Sequence, residues 1–395
     1  MRVLFMPSGD DKYGAPKSMM ELVGNLKERY GIEPVIMTCT EGMINVWCAK
    51  NGIECHVLGQ GSFMVVGGSN WLRKIVKHSM YPYLRYKYLK EDKKARLLIE
   101  ELLENQNVDI VHTNVNRIDV GGYYALNHNV PHVWHLREFG KEDYNCMYLR
   151  SDAIQFMNQS TTRFVAISAV VKSAWVNKGL DENKIDVIYN GIDLSRFSEE
   201  LPYRINEKND KIKIVFVGII SETKGQLHLI KAVEFLPDKI RKQIQVDFYG
   251  GGRESYINSL KKYVHQNGLE SYISFKGYCN NIPGILPQYD IGVVASRAEA
   301  FGRATVEYMA AGLCVIAPDT GANPEIITHE KTGLIYKYGN IQALSNTISA
   351  LVKQSEKMER MRIEAFNSVR DKYSMDRCAD DVYRIYEELL EKKRC

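Results

Sequence analysis

Short, uninterrupted apolar runs recur along the first half of the chain: RVLFM, EPVIMT, ECHVLG, VDIVHT, PHVWHL, TRFVAIS and KIDVIY. Longer segments with apolar residues three and four apart separate most of them. Ser18–Gly31, SMMELVGNLKERYG, sets Met19, Leu22, Val23 and Leu26 on one face and closes on a glycine. Apolar runs without alternation predict strands buried on both faces. Such strands interleaved with amphipathic helices predict a parallel sheet covered by helices on each side. Residues 194–211, LSRFSEELPYRINEKNDK, break the pattern with polar and charged residues and a proline, and predict a linker or domain boundary. The alternation then restarts with IKIVFVG, IQVDFYG, ISFKG, DIGVVAS, CVIAP and TGLIY. The fold class is therefore α/β, with two units of similar size over 1–193 and 212–375. Residues 376–395 read as one amphipathic helix with basic residues in its last turn. The halves share a pattern and not a sequence.

Composition adds limits. A chain of 395 residues exceeds what one core usually organises, in line with two domains. The 45% hydrophobic and 25% charged content is that of an ordinary globular protein. A net charge of +4 is too mild to argue for nucleic acid, but it suits an anionic small ligand or an anionic membrane surface. The 8 cysteines form no C-x-x-C and no Cys/His cluster of zinc spacing, which reads as reduced, mostly buried thiols. The N-terminal apolar stretch is too short for a signal peptide, and no run approaches the roughly 20 apolar residues of a membrane span. A cytoplasmic protein, or one held peripherally on the inner face of the plasma membrane, is expected.

In open α/β sheets ligands bind outside the carboxyl ends of the strands, so chemistry is sought in the loops that follow them. Ser8–Ser18, SGDDKYGAPKS, follows the first strand; its glycines and Pro16 suit either a phosphate at a helix N-terminus or a plain flexible loop. Gly218–Ile230 places Lys224 and Gly225 where a helix begins. That suits a diphosphate ligand or a solvated lysine in a turn. The three glycines of Tyr249–Tyr256, YGGGRESY, suit close approach to a ligand or simply a tight turn.

EAFGRATVE, Glu299–Glu307, is the most informative stretch. DIGVVAS predicts a strand ending at Ser296, and a helix is predicted from near Phe301–Gly302 to Gly312. On one straight helix the two carboxylates would lie about 12 Å apart. Bridging a loop and a helix, they can flank the helix N-terminus instead. Carboxylates accept hydrogen bonds from hydroxyls, and the N-terminus between them suits a diphosphate, so one nucleotide sugar would use the whole set. Each glutamate taken alone is equally a helix cap.

Gly61–Lys90 contains no acidic residue. It carries Arg73, Lys74, Lys77, Arg85, Lys87 and Lys90 among Trp71, Tyr81, Tyr83, Tyr86 and Tyr88. This mixture suits adsorption to an anionic bilayer through 71–90, or a solvated basic helix face. D-x-D, G-x-S-x-G and H-E-x-x-H are all missing, so no motif points to a metal and none is expected.

The segment S-R-A-E-A-F-G-R-A-T-V-E over 296–307, followed by AAGLCVIAPDTGANPEII and KTGLIY, resembles the donor half of a family 4 retaining glycosyltransferase of GT-B fold. YGAPKS, VDIVHTN, VWHLREFG, VIYNGIDLSRF, the TKGQ loop and DFYGGG occur in the order of that family, so the resemblance covers nearly the whole chain. HLRE and YGAPKS resemble the branch that builds bacterial surface polysaccharides. The resemblance implies two Rossmann-like domains facing across a cleft, an acceptor domain over 1–193 and a donor domain over 194–375. The helix 376–395 would cross back to the first.

It further implies a metal-free transfer of a hexose-type sugar from a nucleoside diphosphate, UDP or GDP, to a glycan or lipid-linked glycan hydroxyl. The implied catalytic residues are Glu299 against the sugar, Lys224 on the diphosphate and His135 near the reacting carbon or the acceptor. The implied binding residues are Glu307 on the ribose, with Gly14, Ala15, Gly218, Gly251, Ser296, Ala300, Phe301, Gly302, Arg253 and Arg303 around sugar and phosphates. Asn190 and Gly191 would lie at the hinge.

One position departs from the family pattern. Ile219 stands where an arginine usually follows the glycine of the second loop, and Arg303 or Arg253 is the expected replacement. Ala300, often glycine in the family, is a small change. A nucleotide-sugar 2-epimerase of the same fold, or a non-catalytic nucleotide-sugar-binding subunit, remains the alternative.

Overall fold

The computed structural model describes residues 1–7, 14–65, 78–140, 146–201 and 211–394. Every one of the apolar runs becomes a strand. In the first half these are β1 (Arg2–Met6), β2 (Glu33–Thr38), β3 (Glu54–Val57), β5 (Ile110–Thr113), β6 (His132–Leu136), β8 (Arg163–Ala166) and β9 (Ile185–Val187). They form one 7-stranded sheet in the order β3-β2-β1-β5-β6-β8-β9, all paired parallel. In the second half β10 (Ile212–Val217), β11 (Ile244–Tyr249), β12 (Ile273–Gly277), β13 (Ile291–Val293), β14 (Cys314–Pro318) and β15 (Leu334–Tyr336) form a 6-stranded parallel sheet, order β12-β11-β10-β13-β14-β15. A pair with no sequence signal, β4 (Met64–Val65) and β7 (Met147–Tyr148), forms a separate antiparallel ladder.

The chain divides into two compact units, Met1–Gly191 with Met375–Cys395, and Ile192–Ser374. The passage falls at Ile192, which is buried and donates its N–H to Tyr373 O, so it belongs to the second unit. Phe197, inside the segment read as a linker, is likewise buried; residues 202–210 of that segment lie outside the described residues. The helix Met375–Arg394 packs on the helix Gly14–Tyr30 within the first unit. Tyr383 stacks on Tyr30 at 3.8 Å between ring centroids, and Arg29 pairs with Asp380 at 2.6 Å. Val382, Ile385, Tyr386 and Leu389 join the core of that sheet face. Val382, Ile385 and Leu389, the aliphatic members, each contribute roughly 1.5–3 kcal/mol by leaving water.

Seven described cysteines are free thiols; three are buried and four half-buried. No helix among the described residues is long and apolar enough to cross a membrane.

The topology positions the site. From β10 the second sheet grows outward through β11 and β12, then the chain returns to place β13 on the other side of β10. The loops after β10 and β13 therefore part at a topological switch point, where α/β sheets bind their ligands.

Candidate active site

The loop after β10 is bound to the loop after β13. Buried Gln226 organises its turn: the side-chain oxygen accepts from Ser221 N at 3.3 Å and the side-chain nitrogen donates to Ile219 O at 3.0 Å. Arg297 N donates to Thr223 O at 3.1 Å. Gly225, with φ 77, allows this approach; a Cβ there would come within 2.2 Å of Ala295 O. Lys224, fixed between these contacts, donates from Nζ to Glu299 Oε1 at 2.6 Å. Their side chains are 31% and 17% exposed, so the pair is half-sheltered and open to a ligand. Ile220 N donates to Gly251 O at 2.8 Å, and Gly218 N to Tyr249 O at 2.9 Å, which aligns the glycine-rich loop after β11 beside Gly218.

β13 ends at Val293 and not at the expected Ser296. Beyond Val294 the backbone leaves the ladder for loop contacts: Ser296 O accepts from Thr320 Oγ1 at 3.2 Å, and Ala322 N donates to Glu299 O at 2.8 Å. The following helix is Arg303–Ala310, with Gly302 as N-cap. Its first turn is tied down by a buried chain in which Thr305 Oγ1 donates to Asn323 Oδ1 at 2.9 Å and Asn323 Nδ2 donates to Thr320 O at 3.1 Å. Its second turn is tied to β10, where Val217 N donates to Tyr308 Oη at 2.6 Å. Tyr308 is fully buried against Gly292 of β13. Burial, with the carboxylates of Glu307 and Glu299 nearby, raises its hydroxyl pKa far above the usual tyrosine value. Arg303 Nε donates to Glu307 Oε1 at 2.9 Å along the helix.

The structure thus brings Lys224, Ser296, Glu299, Ala300, Phe301, Gly302, Arg303 and Glu307 together beyond the carboxyl ends of β10 and β13, the central strands of the second sheet, with Gly218 and Gly251 alongside. Phe301 is buried, its ring 5.8 Å from that of Tyr373. Arg253 is exposed at the start of the helix Glu254–Gln266. Ile219 is 45% exposed, an apolar side chain where a cation was expected.

In the first unit, Gly14 and Ala15 open the helix Gly14–Tyr30, and Gly14 is exposed. The preceding residues 8–13 lie outside the described residues. His135, on β6, is fully buried. Its Nδ1 faces His112 Nε2 at 3.2 Å and Arg137 Nη2 at 3.4 Å. Burial foremost, then the Arg137 charge and His112, holds its pKa well below the ordinary histidine value, so the ring is neutral. Arg137 also donates from Nη1 to Asn190 Oδ1 at 2.7 Å and from Nε to Asn114 Oδ1 at 2.8 Å. Arg137, Asn114, His112, Gln226, Tyr308 and Asn323 are the polar groups that the sequence reading did not single out. His112 and Tyr308 sit inside apolar runs, and the partners of Gln226 and Asn323 are largely backbone atoms with no residue signature. Among the described residues no group of three His, Cys, Asp or Glu side chains is placed to hold a metal ion.

Residues 46–196 match the family described as Glycosyltransferase Family 4, and residues 197–368 match glycosyl transferases group 1. Spore coat protein SA of Bacillus subtilis is 27% identical over 226 residues, 52% of this chain and 59% of that protein. The UDP-Gal:alpha-D-GlcNAc-diphosphoundecaprenol alpha-1,3-galactosyltransferase of Escherichia coli is 24% identical over 322 residues, covering 77% of this chain and 81% of that one. HepE of Anabaena, solved in complex with UDP, superposes with a TM-score of 0.77 at 19% identity over 98% of this chain and 100% of that one, a likeness of fold. The chain belongs to glycosyltransferase family 4, of GT-B fold.

Proposed function

We propose that the protein transfers a hexose from a UDP-linked donor to a hydroxyl of a glycan or lipid-linked glycan acceptor in surface polysaccharide synthesis, with retention of anomeric configuration and without a metal. The observation that carries this reading is the juxtaposition of two cation–carboxylate pairs, Lys224–Glu299 and Arg303–Glu307, at the switch point of the second sheet. Each pair can trade its internal bond for a ligand bond. A diphosphate takes the cations, and the released carboxylates accept from hydroxyls of the sugar (Glu299) and of the ribose (Glu307). In the reaction the bond from the anomeric carbon to the diphosphate oxygen breaks, and the acceptor oxygen bonds that carbon on the same face. The acceptor proton passes to the departing phosphate oxygen. Lys224, Arg303 and the N-terminus of the helix Arg303–Ala310 stabilise the negative charge that grows on the diphosphate.

The UDP choice rests on the E. coli relative, whose name gives UDP-Gal as donor, and on the fold likeness to a protein solved with UDP. The proposed peripheral membrane contact rests on the exposed tyrosines of the helix Tyr81–Leu103; Trp71, Arg73, Lys74 and Lys77 lie outside the described residues.

The decisive experiment incubates the purified chain with a panel of UDP-, GDP- and dTDP-sugars, with and without a lipid-diphosphate-linked sugar, and follows nucleotide release and product configuration. Acceptor-dependent UDP release with retained configuration is expected. A sugar isomer formed without acceptor would replace this reading with an epimerase. Donor binding without any turnover would replace it with a non-catalytic subunit, which the exposed Ile219 would then explain.

A further inference from the structure

His135 ends a chain of hydrogen bonds whose polarity can be read from one end to the other. Arginine only donates, so Arg137 Nη2, 3.4 Å from His135 Nδ1, requires that nitrogen to be an acceptor. His112 Nε2, 3.2 Å from the same nitrogen, must then carry a proton. In neutral His112 this leaves Nδ1 as the acceptor, and Tyr386, whose hydroxyl lies 2.5 Å away, is its donor. All three side chains are fully buried, and burial holds both imidazoles neutral, with the Arg137 charge acting in the same direction. Besides Arg137 and its own neighbour His135, His112 faces His132, itself buried and held low at about 4, and the ring of Phe5 at 5.3 Å between centroids. The one position left for the proton of His135 is Nε2, and that nitrogen has no hydrogen-bond partner although it is buried.

The same arginine sets a second group. Its Nε donates to Asn114 Oδ1 at 2.8 Å, which turns the amide so that Nδ2 is the free end, and Nδ2 is also buried without a partner. Two unpartnered donors held by one guanidinium, and costly to leave unpaired, point to a ligand that supplies oxygen lone pairs.

We propose that Tyr386, His112 and Arg137 act as positioning residues that hold His135 as a neutral imidazole protonated on Nε2, so that it meets a hydroxyl or phosphate oxygen as a hydrogen-bond donor and does not serve as a base. What the donor acts on rests on the transfer reading above; the tautomer does not. Tyr386 is 274 positions from His112 and comes from the helix Met375–Arg394, so the C-terminal helix sets the chemistry of a histidine on β6.

The test uses the full chain without ligand, labelled with 15N-histidine, and a long-range 1H–15N correlation spectrum between pH 6 and 8. His135 and His112, identified by His135→Gln and His112→Gln, are expected with a protonated Nε2, an unprotonated Nδ1 and no titration in this range. Tyr386→Phe should move the ring-nitrogen shifts of His112 and bring in the second tautomer. Where Tyr386→Phe fails to fold, the wild-type spectrum decides alone. A proton on His135 Nδ1, an imidazolium at pH 7, or a folded Tyr386→Phe with unchanged ring shifts would overturn the proposal. In transfer assays His135→Gln, which keeps a donor, should retain more kcat than His135→Met, and equal losses would remove the donor role. A wild-type chain inactive in transfer would sink the functional reading and leave the tautomer assignment standing.

Discussion

Lys224 and Glu299, 75 residues apart, are joined at 2.6 Å across the point where β10 and β13 diverge. The bond is made possible by Gly225, whose missing Cβ lets the lysine turn sit on Ala295. Under the transfer reading Lys224 moves to the departing diphosphate. Lys224→Met should therefore lower kcat by about 10²–10³-fold, the size of losing one preorganised charge-stabilising group. Glu299→Gln should lower kcat with a smaller change in donor KM. The double variant should lose less than the product of the single losses, because the partners share one network. Steady-state kinetics on the four proteins checks this, and fully multiplicative losses would separate the two roles.

The fold was legible because parallel strands buried on both faces must be apolar throughout. RVLFM and CVIAP could hardly be anything else, and each became a strand. The pair β4–β7 was not legible; two-residue strands carry no period. Lys224, Glu299 and Glu307 could be found in the sequence because the two glutamates bracket a Gly turn after a predicted strand and the lysine precedes a predicted helix, a combination that resembles the family pattern although each residue alone reads as a cap or a solvated turn. Tyr308 and Asn323 could not. Their work is done through backbone atoms of Val217 and Thr320, which any residue would supply. His135 was found and its surroundings were not, since Tyr386 looks like any core position of an amphipathic helix.

Arg303 stands four residues before Glu307 and bonds it at 2.9 Å. If it supplies the cation that Ile219 does not, Arg303→Ala should raise donor KM by roughly 10–100-fold, the worth of a charged hydrogen bond of about 1.5–3 kcal/mol. Ile219→Arg placed in that variant should recover most of the loss, because Ile219 is exposed on the loop after β10. Unchanged kinetics in Arg303→Ala would transfer the question to Arg253.

Tyr308→Phe tests the seam between β10 and the helix Arg303–Ala310. The substitution keeps the ring and removes the oxygen that accepts from Val217 N, leaving a half-buried N–H unpaired. A loss of about 1–3 kcal/mol of stability is expected, read from the urea midpoint. Donor affinity should fall with it, because the same bond fixes the turn that carries Glu307.

A buried acidic cluster should make the stability of the first unit depend on pH. Asp92 and Asp119 are both buried, with Arg96 and Tyr88 on the same helix as Asp92 and Arg150 bonded to Asp119 at 2.8 Å. Burial, reinforced by the charge of Asp119, pushes the Asp92 carboxyl up to about 6. In the unfolded chain it titrates near 3.9. Between these values the unfolded chain gives up the proton first, so stability falls as pH rises from 4 to 6, by about 3 kcal/mol for a shift of this size. Above pH 6 the loss is complete. Asp92→Asn removes the slope, so its stability relative to the parent should rise from pH 4.5 to pH 7.5. Urea denaturation of both proteins at the two pH values decides it, and a difference independent of pH would show that Asp92 is ionised throughout.

The outer face of the helix Tyr81–Leu103 carries Tyr83 and Tyr86 exposed to solvent with Lys87 and Lys90, and Leu89 exposed on its flank, whereas Arg85, also exposed, falls on the line of the buried stripe and near Asp152. The opposite face is occupied: Tyr88, Asp92, Ala95, Ile99 and Leu103 are buried in the first unit. Under the transfer reading a lipid-linked acceptor would present its sugar at the surface of an anionic bilayer, and lysines among exposed tyrosines suit contact with such a surface. Each cation near such a surface contributes about 1 kcal/mol, so the two lysines should raise binding by roughly 30-fold at low ionic strength, less where Lys87 stays paired with Glu91. The attraction falls off within a Debye length of about 8 Å at physiological salt. Sedimentation with phosphatidylglycerol vesicles should therefore retain the protein, and vesicles of phosphatidylcholine alone should not. Replacing Lys87 and Lys90 with glutamine should abolish retention, and Tyr83→Ser with Tyr86→Ser should weaken it at high salt, where only the apolar contribution survives. Retention that ignores both sets of substitutions would assign this face to solvent.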